Sequence, residues 1–129
     1  MAADTRFAVL CSVRPDGRPH AVPITHVVVD DRILFAIDHK PKTRRRLQRL
    51  VNIESEPRVS VLFDHRSEDW TELWWARADG TATVSAEPPD IASALVERHA
   101  AYDQKPPAGP WIIVSVDRWQ GWIADRGGV

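Results

Sequence analysis

The first 37 residues contain three apolar segments separated by two short polar turns. Phe7–Val13 is followed by Arg14-Pro15-Asp16-Gly17-Arg18, where proline presets one turn dihedral and glycine tolerates a positive φ. The second segment, residues 20–29, is joined to residues 32–37 by Asp30-Asp31. Apolar segments of this length with turns this short predict a three-stranded antiparallel meander. An antiparallel sheet is therefore the framework into which the rest of the chain must fold.

Two helices are predicted to interrupt this sheet. Pro41 suits the first position of a helix, where its missing N–H costs nothing, and apolar residues follow it at helical spacing up to Val51. Pro88-Pro89-Asp90 precedes a second apolar stripe formed by Ile91, Leu95 and Val96. We therefore expect one helix in the middle of the chain and another before the final strands.

Further strands are predicted between and after these helices. A strand is expected at residues 58–63, and residues 73–84 have the pattern of one long strand or a hairpin interrupted at Asp79-Gly80. Two short strands, 111–116 and 119–124, are expected to close the sheet. Six or seven antiparallel strands with two helices predict a mainly β fold of the α+β class, an antiparallel barrel. The length of 129 residues predicts that residues 1–129 form one domain.

The composition of the chain argues against several classes of protein. Hydrophobic residues make up 43% of the chain and the net charge is -1, which argues against disorder and against a strong overall attraction to nucleic acid or membrane. The single cysteine, Cys11, excludes an intramolecular disulfide and is expected to be a buried, inert thiol. No segment approaches the roughly 20 apolar residues of a membrane-spanning helix, and the first residues do not resemble a signal peptide. We expect a cytoplasmic protein.

A basic segment at residues 39–49 is the most informative feature for function. It holds six of the 17 Lys and Arg residues, and no acid lies between Asp38 and Glu54. Lys40 and Lys42 fall at the predicted start of the first helix, where free backbone N–H groups and the helix dipole favour an anion. The residues by themselves leave two interpretations open, a phosphate or carboxylate site and a solvated helix face.

Tryptophan is the second unusual feature, with six residues in the chain. Adjacent strand residues face opposite sides of a sheet, so one of Trp74 and Trp75 is expected to fill the barrel while the other faces a cleft or a partner. The same pair could also pack beside an aromatic ligand. For Trp111, Trp119 and Trp122 we predict core packing.

Common catalytic and metal-binding motifs are missing from the sequence. The histidines show no metal-ligand spacing, and the chain contains no nucleophile elbow, phosphate-binding loop or dinucleotide fingerprint. We therefore predict no metal site, and no catalytic residue can be assigned. The polar residues 64–69 have the pattern of a surface turn, whereas His26 is the histidine expected to point into a cleft.

Several segments together resemble the split β-barrel superfamily of pyridoxamine-phosphate-oxidase-like proteins. The resemblance covers roughly residues 7–125 and is carried by Asp16-Gly17-Arg18-Pro19-His20, Val22-Pro23-Ile24-Thr25, Leu34-Phe35-Ala36-Ile37-Asp38, Lys40-Pro41-Lys42 and Glu56-Pro57-Arg58-Val59-Ser60-Val61-Leu62. Residues 68–80 are similar to a branch of probable reductases that depend on the deazaflavin coenzyme F420. The resemblance implies a split β-barrel (FMN-binding-like) that works as a homodimer, with the cofactor at the subunit interface.

The resemblance also implies which residues contact the cofactor. Lys42, assisted by Lys40, Thr43 and Arg45, would hold its phosphate. The ring would be lined by Pro23, Ile24, Thr25, Ala36, Ile37 and Asp38, with Trp75 or Trp74 arriving from the partner subunit.

The function implied is an F420-dependent oxidoreductase that transfers a hydride between the deazaflavin and a small conjugated organic substrate. One alternative is a split-barrel protein that binds FMN, FAD or haem, and another is a non-catalytic F420 carrier or sensor. A nucleic-acid-binding module, with arginines on phosphates and tryptophans stacked on bases, is disfavoured by the near-neutral charge.

Overall fold

Two tight turns connect the first three strands. The computed structural model describes residues 2, 5, 7–37, 47–105, 107 and 109–125. Strand β1 (Phe7–Val13) pairs antiparallel with β2 (Pro19–Val29), and β2 pairs with β3 (Arg32–Ala36). Gly17, with φ of 89°, donates from its N–H to the Arg14 carbonyl at 2.8 Å in the first turn. The predicted meander is confirmed.

The later strands close this meander into a barrel. Helix α1 (Gln48–Ser55) precedes β4 (Arg58–His65), a short 3₁₀ turn (Trp70–Glu72) and β5 (Trp74–Ser85). Helices α2 (Ala92–Arg98) and α3 (Ala101–Gln104) then lead to β6 (Trp111–Ile123). The strands are hydrogen-bonded in the closed order β1-β2-β3-β6-β5-β4, and all these pairings are antiparallel. The mainly β barrel predicted from the sequence is therefore the observed fold.

The last strand corrects one prediction, because residues 111–123 form one strand instead of two. The register against β5 shifts between Asp79 and Gly80, which pair with Arg118 and Val116. Asp117 is thus the extra residue of a β-bulge. A bulge reverses the alternation of inward and outward side chains, so the sequence pattern had the appearance of two strands. Asp79-Gly80, where a hairpin turn was one of the two predictions, lies at this register shift within β5, which is one continuous strand.

Alternate residues of the strands fill the barrel. Leu10, Ile33, Phe35, Val61 and Phe63 are all buried in one cluster with Val114. Helix α1 closes one end of the barrel, where its Leu50 and Ile53 join this cluster. A second cluster lies on the outer surface of β2, β3 and the start of β6, under Ile91 and Leu95 of the α2 region and Tyr102 of α3. The described helices leave the remaining outer surface of the barrel uncovered.

The first helix is described only from Gln48 onward. Its predicted start at Pro41 lies outside the described residues, as does the whole segment 38–46. The second predicted helix is observed as α2 at residues 92–98, and the short helix α3 was not predicted.

Candidate functional site

Five of the eleven residues predicted to bind a cofactor lie outside the described residues. These are the residues predicted to contact the phosphate together with one ring-lining residue, namely Asp38, Lys40, Lys42, Thr43 and Arg45. The other six are described, and the fold decides which parts of them a ligand could contact.

The three predicted ring-lining residues of β2 do not share one orientation. Ile24 is directed into the barrel and is buried in its core, whereas Pro23 is exposed and Thr25 is partly exposed on the outer surface. Ala36 and Ile37 are both buried, Ala36 in the cluster under the helices and Ile37 in the barrel core. A ligand beside these strands could therefore contact the side chains of Pro23 and Thr25, but only the backbone of the other three.

The backbone of β2 provides the feature that a flat polar ligand could use. Residues Pro19–Thr25 pair with β1, but the pairing with β3 covers only His26–Val29. Among the described residues, no strand pairs with the second edge of residues 19–25. Unpaired N–H and C=O groups on such an edge are available to hydrogen-bond another molecule. This open edge lies on the side where the chain leaves β3 toward the basic segment.

Trp75 lies in a groove at the end of the β5–β6 ladder. It is directly opposite Trp122, and the groove of about 260 Å³ is completed by Trp74, Ala76, Gly121 and Ile123. Trp74 faces the other side of β5, where it packs against the barrel core and stacks on His65 with ring centroids 6.4 Å apart. The prediction that one tryptophan packs inward and the other faces outward is confirmed, and Trp75 is the outward one.

Core packing was predicted for Trp111, Trp119 and Trp122, and the structure confirms it only for Trp111. Trp111 is 4% exposed, but Trp119 and Trp122 are 39% and 50% exposed. The reason is the length of β6, whose final residues pair with the start of β5 beyond the part of the barrel that β3 closes. Their aromatic surface is therefore available to a ligand or a partner.

His26 does not point into a cleft, contrary to the prediction. Its side chain is 1% exposed and its ring meets Phe63 edge-on at a centroid distance of 5.1 Å. Neither ring nitrogen has a hydrogen-bond partner of good geometry among the described residues. Burial, and then the nearby His99 and Arg98, lower the pKa of His26 to about 4. This histidine is a neutral core residue at neutral pH.

A second groove, of about 400 Å³, follows the gap between β1 and β4 and was missed by the sequence analysis. These strands pair only between Val9–Cys11 and Ser60–Leu62, so their other ends separate. Beside the groove, the Ser60 hydroxyl donates to Asp79 at 2.6 Å and the Arg77 Nε donates to the same carboxylate at 2.9 Å. These bonds, Ser60 first, lower the pKa of Asp79. Only tertiary pairing joins these residues, so no local pattern marks them.

Cys11 also lines this groove, and burial raises the pKa of its thiol. A raised thiol pKa reduces the thiolate fraction at neutral pH, which agrees with the predicted inertness, but Cys11 is only partly buried, contrary to the prediction. Among the described residues, no group of three His, Cys, Asp or Glu side chains is placed to hold a metal ion. The described helices also include none that is long and apolar enough to cross a membrane.

Solved structures with this fold come from several bacteria. A conserved hypothetical protein from Mycobacterium tuberculosis is 22% identical with a TM-score of 0.73, over 94% of this chain and 79% of its own. A FAD-binding protein from Mesorhizobium loti is 18% identical with a TM-score of 0.59, over 93% and 87% of the two chains. The haem storage protein HutZ from Vibrio cholerae is 12% identical with a TM-score of 0.64, over 93% and 87%. At these identities the likeness concerns the fold alone.

Sequence comparison gives the family directly. No curated protein matches the chain. The family model described as pyridoxamine 5'-phosphate oxidase matches residues 2–123, which is nearly the whole chain and includes all six described strands. The chain therefore belongs to the pyridoxamine 5'-phosphate oxidase family.

Proposed function

We propose that this protein is an F420-dependent oxidoreductase that transfers a hydride between the deazaflavin and a small conjugated organic substrate. The observation that carries the proposal is the open edge of β2 at residues 19–25, which faces the exit of the chain from β3. A flat heterocycle with alternating donors and acceptors suits such an edge. The preference for F420 among such cofactors comes from the resemblance of residues 68–80 to the deazaflavin-dependent branch.

The chain's own groups would bind and orient the cofactor. The backbone groups of Ala21 and Thr25 would hydrogen-bond the polar edge of the ring. The Arg14 N–H donates to the Arg18 carbonyl, and from this pair onward alternate residues of β2, including Val22 and Ile24, bond to β1, so Ala21 and Thr25 face the open edge. Pro23 faces the same edge but has no N–H, so it offers its carbonyl and its exposed side chain. Lys42, assisted by Lys40, Thr43 and Arg45, would hold the phosphate. The cofactor supplies the hydride chemistry, while the protein contributes position, electrostatics and exclusion of water.

The proposal includes a homodimer, because one barrel leaves the cofactor edge and a large apolar surface uncovered. Phe7 at the start of β1 is 71% exposed, and Trp122 and Ile123 at the end of β6 are about half exposed. Exposed apolar side chains in this number are typical of a surface that another molecule covers. A second copy would bury them and close the ring site, so that Trp75 or Trp122 could reach the neighbouring subunit's cofactor.

A flavin or a haem at the same place is the second candidate. It is favoured by the two solved relatives of this fold that are described as a FAD-binding protein and a haem storage protein. A non-catalytic carrier of F420 would share the site but lack turnover. These candidates differ in the visible spectrum of the bound cofactor and in whether a substrate is reduced.

The test is a fluorescence or absorbance titration of the purified protein with F420, FMN, FAD and haemin at moderate salt. We expect tight binding of F420 and weak binding of the other three. Preferential binding of a flavin or haemin would replace the deazaflavin assignment. Binding of F420 without reduction of any conjugated substrate in a panel would favour the carrier.

Lys42 is the residue that we expect to contribute most to binding of the cofactor phosphate. Lys42→Ala should weaken F420 binding by about 1.5–3 kcal/mol, the scale of a charge-assisted hydrogen bond. Lys105→Ala is the matched control, because this lysine is exposed after α3 and outside the basic segment. An unchanged dissociation constant for Lys42→Ala would remove Lys42 from the phosphate site.

A further inference from the structure

Two arginines and a histidine from three different parts of the fold lie near one another at the barrel end that α1 closes, where both arginine charges act on the histidine. They are Arg14 in the β1–β2 turn, His20 at the start of β2 and Arg49 in α1. Arg14 and His20 were not predicted from the sequence to contact a cofactor, whereas Arg49 is the last residue of the basic segment. The positions of all three follow from the strand register and from the contact between α1 and β1.

The register places His20 on the side of the sheet that faces α1. Ser12 and His20 are directly opposite in the β1–β2 ladder, and residues opposite each other in an antiparallel pair point to the same side. On that side, the Asn52 Nδ2 donates to the Ser12 hydroxyl at 3.1 Å. Helix α1 therefore lies over Ser12 and His20.

Two arginines are directed to the same place. Arg49 precedes Asn52 by three residues, which puts both on one face of α1. Arg14 follows Ser12 by two residues, so it continues the row of side chains on the side facing the helix. The Arg14 N–H donates to the Arg18 carbonyl at 2.8 Å, which holds this end of the turn closed.

His20 itself has an unsatisfied polar atom. Its Nδ1 is out of contact with solvent and has no hydrogen-bond partner among the described residues. Burial lowers the pKa of His20, and the charges of Arg14 and then Arg49 lower it further. Asp16, in the same turn, pairs with Arg18 at 3.7 Å.

We propose that Arg14, His20 and Arg49 form an oxyanion site, which takes a phosphate or carboxylate group. Two guanidinium groups and an imidazole supply hydrogen-bond donors suited to oxygen anions. A bound oxyanion would be attracted by the two guanidinium charges and would accept a hydrogen bond from the imidazole. The group could belong to the proposed cofactor or to a free anionic ligand, and the chemistry of recognition is the same for both.

The test uses inorganic phosphate and sulfate as probes and follows the ring signals of His20 by NMR, identified by their loss in His20→Gln. At constant ionic strength, phosphate should raise the pKa of His20 in a saturable way. Arg14→Gln and Arg49→Gln should each weaken phosphate binding by about tenfold or more. Arg18→Gln, in the same turn but paired with Asp16, is the control and should bind phosphate as the parent does.

Two outcomes would overturn the site: an equal effect of chloride, or phosphate binding that Arg14→Gln and Arg49→Gln leave unchanged. The source of the group is found by repeating the F420 titration in saturating phosphate. Competition would assign the oxyanion to the cofactor, and independent binding would assign it to a free ligand. Phosphate binding by a protein that does not bind F420 would keep this site while rejecting the proposed cofactor.

Discussion

A histidine in the barrel core makes stability depend on pH at the scale of a single residue. His26 is buried against Phe63, and no described group hydrogen-bonds either ring nitrogen with good geometry. The pKa of His26 is lowered to about 4, whereas an unfolded histidine has a pKa of about 6.5. Between these values the unfolded chain takes up a proton that the folded chain does not. Folding therefore becomes less favourable as the pH falls through this window.

We predict that this residue lowers the free energy of unfolding by about 3 kcal/mol between pH 7 and pH 4, since each pKa unit corresponds to about 1.4 kcal/mol. His26→Leu removes the titrating ring and should flatten this part of the profile. Urea unfolding at several pH values measures the effect. His20 also has a lowered pKa, so the informative quantity is the difference between parent and variant. His65→Gln, at an exposed position, is the control, and equal slopes in parent and His26→Leu would contradict the assignment.

Gly80 shows how closely two strands approach at the β-bulge. A Cβ placed on Gly80 would lie 2.2 Å from the backbone oxygen of Ser115. Backbone atoms cannot move aside as a flexible side chain can, so Gly80→Ala should destabilise the protein by about 3 kcal/mol or more. Gly17→Ala is the matched control: its added Cβ meets nothing within 4 Å and only the positive φ is strained, which costs about 1 kcal/mol. Thermal unfolding that ranks the two variants in the opposite order would show that the ladder relaxes at the bulge.

At the scale of elements, a chain of buried polar groups attaches α1 to the barrel. Asn52 is fully buried, donates from Nδ2 to Ser12 and accepts from the Gln48 Nε2 at 2.7 Å. Buried polar groups are stabilising only while their partners are present. The same contacts hold α1, and with it Arg49, at the proposed oxyanion site.

We therefore expect Asn52→Ala to lower the free energy of unfolding by about 2–3 kcal/mol, because it breaks two hydrogen bonds and leaves the Ser12 hydroxyl without this donor. Gln48→Ala breaks only the partly buried bond and should cost about 1 kcal/mol. Chemical denaturation of both variants gives the comparison. Similar losses in the two variants would mean that the buried bond to Ser12 contributes little.

For the whole molecule, the distribution of apolar surface leads to a prediction of oligomeric state. Of the outer barrel surface, the described helices cover β2, β3 and the start of β6, and exposed aromatic residues lie at the start of β1 and the end of β6. We expect the parent to have about twice the 14.6 kDa chain mass in sedimentation or light scattering. Trp122→Glu should shift it toward one chain mass, because a carboxylate would replace apolar surface in the interface.

Ser93→Glu, at an exposed position of α2, introduces the same charge on the helix-covered side and should leave the mass unchanged. A monomeric parent would remove the subunit interface from the proposed function. A dimer that Trp122→Glu does not weaken would place the interface on another surface.

Local patterns in the sequence determined much of this protein. Short turns rich in proline, glycine and aspartate, with alternating apolar residues between them, are sufficient to predict β1 to β4 and the mainly antiparallel class, whereas the pattern of residues 73–84 fits either one strand or a hairpin. Contiguous motifs were also sufficient for the family resemblance, which the match over residues 2–123 confirms. These signals could be recognised from the sequence because each depends on residues close together in the chain.

Tertiary structure alone decided the features that depend on distant residues. The bulge at Asp117 hid the continuity of β6, because it reverses the side-chain alternation within one strand. His26 points into the barrel interior and not into a cleft. Strand pairing decides which side chains of β2 point inward, and it directs His26 toward Phe63. The proposed oxyanion site brings residues 14, 20 and 49 together only because α1 packs on β1 through Ser12 and Asn52. Side-chain direction and proximity arise from register and packing, which no single segment of the sequence contains.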